Sequence, residues 1–216
     1  PQLGLLAPRQ FIPLAEEMGL MYPLTCWVLQ QAVSTLAQLQ SHGIGIQLSV
    51  NLSSRDLLEQ ELVEQISGLL LQHQVAAKQL VLEIKEDALM YAPTQVMPVL
   101  KRLAEMGTPL VLDDFGSGYT SLGMLREMPI SQVKIDAQFV QGLLRSDAQV
   151  AITGAMIGLA KNLQLMVVAE GVEDQATADR LVRMGCSRAQ GFLFSQPFAL
   201  AGLEPWLRQH QLQQRD

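Results

Sequence analysis

The sequence alternates short apolar runs with longer amphipathic segments, and this alternation limits the fold more than any other feature. Short apolar runs that alternate with segments of helical periodicity are typical of consecutive βα units, which form a mostly parallel sheet. Within residues 46–51, the apolar side chains of Ile46, Leu48 and Val50 alternate with polar ones, as expected of a barrel strand with a polar interior end. The predicted strands are 46–51, 80–83, 109–114, 132–136, 165–170 and a weaker one at 187–190. The predicted helices are 24–39, 54–73, 92–106, 148–163 and 174–184.

Composition restricts the domain organisation and the class of partner. A chain of 216 residues that is 49% hydrophobic and 17% charged buries a large core, and no linker divides it. We therefore expect residues 1–216 to form a single domain. No apolar stretch reaches the roughly 20 residues of a membrane span, so we expect no membrane segment and a cytoplasmic location. The net charge of −6 argues against a nucleic-acid polymer as partner, and a phosphate ligand would need metal ions.

Polar residues stand where the apolar runs end. Successive runs end in Asn51, Glu83, the pair Asp113 and Asp114, and Glu170. The first steps between them are each roughly one βα unit long, which would bring these side chains to one rim. That rim is the carboxyl-terminal face of a (β/α)8 barrel, where such folds place their active sites.

Four carboxylates on one rim repel one another unless protons or cations lie between them. Carboxylate oxygens and the amide of Asn51 suit a hard octahedral cation such as Mg²⁺ or Mn²⁺, and adjacent aspartates suit two ions that share a ligand. The three histidines lie away from the predicted rim, and two cysteines are too few for a zinc cluster, which argues against zinc.

Simpler interpretations of these residues stay open at this point. A polar residue at a strand end is often only a turn or a helix cap. Lys134 alternates with apolar neighbours and so faces either the barrel lumen or solvent. Residues 114–121 form either a plain turn into a helix capped by Thr120 or Ser121, or a mobile glycine-containing loop at an active site. A metal-dependent lyase of the enolase type also places carboxylates and a lysine on strand ends, but it lacks paired aspartates before a Gly-rich loop.

The motifs together resemble the EAL-domain cyclic di-GMP phosphodiesterases over essentially the whole chain. The motifs that carry the resemblance are Asn51-Leu52-Ser53, Glu83-Ile84-Lys85-Glu86, Asp113-Asp114-Phe115-Gly116-Ser117-Gly118, Lys134-Ile135-Asp136, Ala169-Glu170-Gly171-Val172-Glu173 and Gln190-Gly191-Phe192. The resemblance implies an α/β fold, a modified TIM-type (β/α)8 barrel. It also implies metal-dependent hydrolysis of cyclic di-GMP, a bacterial second messenger, to linear pGpG.

The resemblance also implies a role for each matching residue. Asn51, Glu83 and Asp113 would hold a first Mg²⁺ or Mn²⁺ ion, and Asp113, Asp114 and Glu170 a second. The catalytic residues would be Lys134, which meets the attacking water or the developing charge, and Glu170 as general base. By the same resemblance, Gln190 would contact the nucleotide and Glu86 would support the Gly-rich loop. Glu173 would lie at the rim or directly behind it.

The namesake Glu-Ala-Leu motif is absent from this sequence. Pro1-Gln2-Leu3-Gly4 resembles the stretch just downstream of it, so we expect the first strand, with one metal ligand, to lie upstream of Pro1. Two hypotheses follow: a piece of a longer, competent phosphodiesterase, which the intact motifs favour, or a domain that binds cyclic di-GMP as a non-catalytic receptor. On the first hypothesis this 216-residue chain alone turns over poorly or not at all. We expect a sensory or GGDEF-type domain upstream, and assembly as a homodimer stays open.

Overall fold

The computed structural model describes residues 6–88, 92–118 and 120–213. Within these residues, six strands form one parallel sheet in which every strand pairs with its neighbours in sequence. The strands are β1 (Leu48–Leu52), β2 (Leu80–Lys85), β3 (Leu110–Phe115), β4 (Gln132–Ile135), β5 (Met166–Ala169) and β6 (Arg188–Ala189). All six predicted strands are confirmed in position, with ends that differ by one or two residues. The sequential parallel order confirms the predicted α/β class.

Helices connect the strands and flank the sheet. They are α1 (Pro8–Glu17), α2 (Met21–Ser41), α3 (Leu62–Gln72), α4 (Pro93–Glu105), α5 (Leu122–Glu127), α6 (Ala137–Val140), α7 (Asp147–Asn162), α8 (Gln175–Arg183) and α9 (Leu203–Gln213). The helices predicted at 24–39, 92–106, 148–163 and 174–184 correspond to α2, α4, α7 and α8. No helix in the described part of the chain is long and apolar enough to cross a membrane.

The helix predicted over 54–73 was wrong in its first half. The chain makes only a 3-10 turn at Asp56–Leu58, and α3 begins at Leu62. The buried carboxylate of Asp56 explains this break, because it accepts hydrogen bonds from Ser53 N at 2.7 Å and from Thr25 Oγ1 at 3.0 Å. A side chain that satisfies nearby backbone in this way competes with helix formation.

The two faces of the sheet have different surroundings. One face carries the core, in which Val50, Leu82 and Leu112 pack against the surrounding helices. The other face lines a cavity of about 950 Å³ to which all six strands contribute, Ser49 of β1 and Arg188 of β6 among them. A sheet whose first and last strands line one cavity must curve around it, as the wall of a barrel does. The predicted alternation in β1 is confirmed, since Val50 is buried whereas Ser49 is exposed.

Candidate active site

A buried lysine stands at the centre of the carboxylate cluster. Lys134 on β4 is only 4% exposed. Its Nζ lies 2.9 Å from Glu83 Oε2, 3.2 Å from Asp113 Oδ1 and 2.5 Å from Glu170 Oε1. These three acidic residues come from β2, from β3 and from the position directly after β5. Lys134 therefore faces the barrel lumen, which decides between the two orientations that the sequence left open.

Strand register explains why residues far apart in sequence meet here. Because side chains in a strand alternate between faces, residues at every second position point into the lumen. Asn51 is the register partner of Glu83, so the amide lies beside the buried carboxylate at the carboxyl end of β1. Asn51 itself is exposed. The structure thus brings Asn51, Glu83, Asp113 and Glu170 to one rim, as predicted.

An irregularity in β3 lets two adjacent aspartates serve the same site. Neighbouring side chains of a regular strand point to opposite faces. Between Leu112 and Phe115, however, the register with β4 shifts, and Asp114 adopts a left-handed backbone conformation with φ of 56°. Carboxylate oxygens of Asp113, Asp114 and Glu170 consequently all lie within 4.8 Å of one another. Such a shift often re-aims a side chain next to a functional site.

The ionisation of the cluster follows from burial and from charge pairing. Burial raises the pKa of Asp113 and of Glu170, and the positive charge of Lys134 only partly offsets this effect. Burial alone would lower the pKa of Lys134. The carboxylates of Glu170, Glu83 and Asp113 outweigh that effect and hold the pKa of Lys134 above its usual value. Lys134 is therefore a positively charged group at the centre of the carboxylate cluster.

The cluster has the charge and the oxygen ligands that a divalent cation requires. The cluster contains four carboxylates, those of Glu83, Asp113, Asp114 and Glu170, and two ammonium groups, those of Lys134 and Lys85. This leaves an excess of negative charge. Asp113 Oδ1 is also buried without a hydrogen-bond donor, although Lys134 Nζ is near enough for an ion pair. Buried oxygen ligands with excess negative charge fit a hard cation.

Glu86 holds the Gly-rich loop that follows β3. Its Oε2 accepts hydrogen bonds from Gly116 N and Gly118 N, each at 3.0 Å, and its Oε1 accepts one from Thr120 N at 2.8 Å. Glu86 is 3% exposed. Ser121 then caps α5 through a hydrogen bond from Met124 N at 3.2 Å. The capped turn predicted for residues 114–121 is thus present, with Ser121 as the cap. The loop before it, which was predicted to be mobile if it serves an active site, is held by Glu86.

The remaining predicted residues lie at the cavity or near it. Gln190 follows β6 and lines the same cavity as Glu83 and Lys134. Glu173 is exposed in the segment before α8, and its role stays a prediction. Asp136 is a helix cap, because its Oδ1 accepts a hydrogen bond from Gln138 N at 2.8 Å.

Sequence reasoning missed Lys85. Its Nζ lies 3.1 Å from Asp114 Oδ2, at the carboxyl end of β2. The strand period contains the signal that could have found it, since Lys85 stands two positions after Glu83 and so points to the same face, one step nearer the rim.

Comparison with known proteins identifies the relatives of this chain. The EAL domain family matches residues 1–197. Cyclic di-GMP phosphodiesterase PA2567 of Pseudomonas aeruginosa is 39% identical over 208 residues, which cover 96% of this chain and 35% of that protein. Cyclic di-GMP phosphodiesterase NbdA of the same organism is 42% identical over 209 residues, which cover 96% of this chain and 27% of that protein. The chain thus spans about a third of the length of these relatives.

Solved structures have the same fold. The PaMucR phosphodiesterase in complex with c-di-GMP superimposes with a TM-score of 0.89 at 37% identity, over 94% of this chain and 83% of that one. The EAL enzyme Bd1971, bound to cAMP and cyclic di-GMP, superimposes with a TM-score of 0.88 at 30% identity, over 97% of this chain and 57% of that one. These structures confirm the predicted barrel-type fold. With the family matched over residues 1–197 and the acidic rim in place, the chain belongs to the EAL domain family.

Proposed function

We propose that this chain contains the catalytic site of a metal-dependent phosphodiesterase that hydrolyses cyclic di-GMP to linear pGpG. The observation that carries the proposal is the buried Lys134 held by Glu83, Asp113 and Glu170, with the adjacent Asp114 turned to the same rim. Two relatives named cyclic di-GMP phosphodiesterases and a phosphodiesterase solved with c-di-GMP support the substrate. Formation of pGpG requires that water attacks phosphorus and that one P–O3′ bond breaks.

We assign the metal ligands from this cluster. Asn51, Glu83 and Asp113 would hold one Mg²⁺ or Mn²⁺ ion, and Asp113, Asp114 and Glu170 would hold a second. Bound divalent ions would supply an activated water and neutralise charge on the phosphoryl oxygens. The two ion sites share Asp113, so we expect its loss to affect both.

The rest of the proposed function depends on five residues, which are Lys134, Glu170, Gln190, Glu86 and Glu173. Lys134 presents a fixed positive charge, which stabilises the developing phosphoryl charge more than the ground state. Glu170 accepts a proton from the attacking water as general base. Gln190 contacts the nucleotide, Glu86 keeps the Gly-rich loop in position, and Glu173 supports the rim.

The proposed setting extends beyond these residues. We propose that residues 1–216 form one domain and that a further strand upstream of Pro1 pairs with β1. A sensory or GGDEF-type domain is the predicted upstream neighbour, and a relative named as a bifunctional diguanylate cyclase and phosphodiesterase supports that expectation. The cytoplasmic location and the homodimeric assembly stay predictions. The following tests use this chain and a longer chain that includes the upstream residues of the natural protein.

Replacing the shared ligand tests the metal assignment. We expect Mn²⁺ or Mg²⁺ to bind in isothermal titration calorimetry, and Asp113→Ala to abolish the binding because both ions lose an oxygen ligand. Asp147→Ala, which changes an exposed aspartate of α7, is the matched control and should leave the titration unchanged. Metal binding that survives in Asp113→Ala would contradict the assignment.

Turnover and binding measured side by side test the catalytic roles. In the longer chain, Lys134→Ala should lower pGpG production by about 10²–10³-fold, the usual effect of removing one positioned electrostatic group. The affinity for cyclic di-GMP should change little. Glu170→Gln should behave similarly, with weaker occupancy by the second ion. If the unsubstituted longer chain binds cyclic di-GMP but forms no pGpG with Mg²⁺ or Mn²⁺, the domain is a receptor and the proposal fails.

A further inference from the structure

Lys85 is a second lysine of the rim, and its surroundings differ from those of Lys134. Lys134 contacts three carboxylates and its side chain is 5% exposed, whereas Lys85 contacts Asp114 and its side chain is 58% exposed. Exposed ion pairs contribute little free energy, and a lysine stem has many accessible rotamers. The contact between Lys85 and Asp114 is therefore easily exchanged for another.

Asp114 is the fixed member of this pair. Its backbone lies in the left-handed region, and its carbonyl oxygen accepts hydrogen bonds from Ser117 N at 3.1 Å and Ser117 Oγ at 2.6 Å. Lys85, by contrast, is the last residue of β2 and extends its side chain from the rim. The backbone of Asp114 is thus held in place, and the long side chain of Lys85 is the more easily displaced member of the pair.

A cation at Asp114 would meet the ammonium of Lys85. The carboxylate oxygens of Asp113, Asp114 and Glu170 lie within 4.8 Å of one another, and Lys85 Nζ is 3.1 Å from Asp114 Oδ2. The positive charges of an ion and an ammonium would be only a few ångströms apart, and like charges at that distance repel. A lysine side chain is positively charged at neutral pH.

We propose that Lys85 is an exchangeable counter-ion that competes with the second divalent ion for Asp114. It neutralises Asp114 when no metal is bound and moves toward solvent when the ion binds. Lys85 thereby lowers the affinity for this ion and makes its occupancy depend on the metal concentration. The inference rests on the proposed function, since it concerns the metal that the function requires.

Calorimetric titration with Mn²⁺ tests the proposal in the unsubstituted protein, Lys85→Met and Lys85→Arg. The relevant binding step is the one that Asp114→Asn weakens. Lys85→Met keeps most of the stem and removes the charge, so the dissociation constant of this step should fall by about two- to fivefold, the strength of an exposed ion pair. Lys85→Arg should keep the original constant. Lys101→Met is the control, because Lys101 is an exposed lysine of α4 and its loss changes the net charge equally.

The result can separate this inference from the proposed function. An unchanged or higher dissociation constant in Lys85→Met, or a decrease equal to that in Lys101→Met, overturns the competition. If pGpG still forms in that case, the proposed function is retained and only the competition by Lys85 is rejected. Absence of Mn²⁺ binding in the unsubstituted protein overturns both. A larger Mn²⁺-dependent increase in melting temperature for Lys85→Met than for Lys101→Met would support the competition independently.

Discussion

At the residue scale, Gly191 determines how closely the segments after β5 and β6 approach. A Cβ atom on Gly191 would overlap the backbone nitrogen and carbonyl oxygen of Val172. Two hydrogen bonds, each 3.1 Å long, join the same two segments. They run from Val172 N to Gln190 O and from Leu193 N to Val172 O. Glu170 and Gln190 stand just before this contact, so it fixes the spacing between a proposed catalytic residue and a proposed ligand contact.

Two glycine substitutions should have opposite effects on stability. Gly191→Ala forces a side chain against rigid backbone, and we expect it to lower the free energy of unfolding by about 1–3 kcal/mol. Gly158→Ala is the control, because Gly158 lies inside α7 and a Cβ there meets nothing within 4 Å. Alanine is the better helix former, so Gly158→Ala should raise the free energy by about 0.5–1 kcal/mol. Urea unfolding measures both, and equal values for the two variants would refute the close approach.

At the element scale, the loop after β3 depends on Glu86, the residue that follows β2. Glu86 accepts hydrogen bonds from the amides of Gly116, Gly118 and Thr120. Hydrogen bonds to a charged acceptor are stronger than those between neutral groups. A Cβ on Gly118 would lie 2.9 Å from Glu86 Cδ, so the small residue and the glutamate require each other.

Removing this acceptor should release the loop while the barrel stays folded. In Glu86→Ala, hydrogen exchange at the amides of Gly116, Gly118 and Thr120 should accelerate, and the free energy of unfolding should fall by about 2–3 kcal/mol. Asp87→Ala changes the adjacent exposed acid and should leave both unaffected. Unchanged exchange in Glu86→Ala would mean that other contacts hold the loop.

A helix or strand could be predicted from the sequence where one local sequence pattern dominates. Where no such pattern dominates, it could not be predicted. Strands β1 to β5 each contain apolar residues and have polar residues at or just after their ends, so these strands and the rim residues were predicted from the sequence. The register shift that turns Asp114 to the rim depends on pairing with β4, which no local pattern reveals. Helix α5 was one of the two alternatives for residues 114–121, whereas α1, α6 and α9 were not predicted. Helix α1 contains Pro13, which disfavours a helix interior, and α6 has only four residues. The turn at Asp56 depends on the distant Thr25.

At the scale of the whole molecule, the sequential parallel order leaves the first and last strands with one neighbour each. Within the described residues, β1 pairs only with β2, and the two-residue β6 pairs only with β5. Unpaired strand edges expose backbone groups that another strand can satisfy. Asn51, a proposed metal ligand, lies on such an edge strand and is exposed.

A longer chain that includes the upstream residues should therefore be more stable and more active than this one. A strand paired with β1 would cover the edge and the open side of the lumen, and it would restore the carboxylate that the family resemblance places there. Urea midpoints and pGpG production compare the two chains, with a Gly/Ser extension of equal length as control. Full activity of a preparation verified by mass to begin at Pro1 would contradict this account.

The hydrogen bonds of Glu86 also determine how this rim can recognise an anion. A glycine-containing loop beside an active site commonly cradles phosphate with its backbone N–H groups. Here the amides of Gly116, Gly118 and Thr120 already donate to a carboxylate of the protein itself. The chain also carries a net charge of −6, so the proposed ligand, an anionic dinucleotide, would need cations between itself and the acidic rim. Ligand occupancy should then rise and fall with free divalent metal, even at constant ligand concentration.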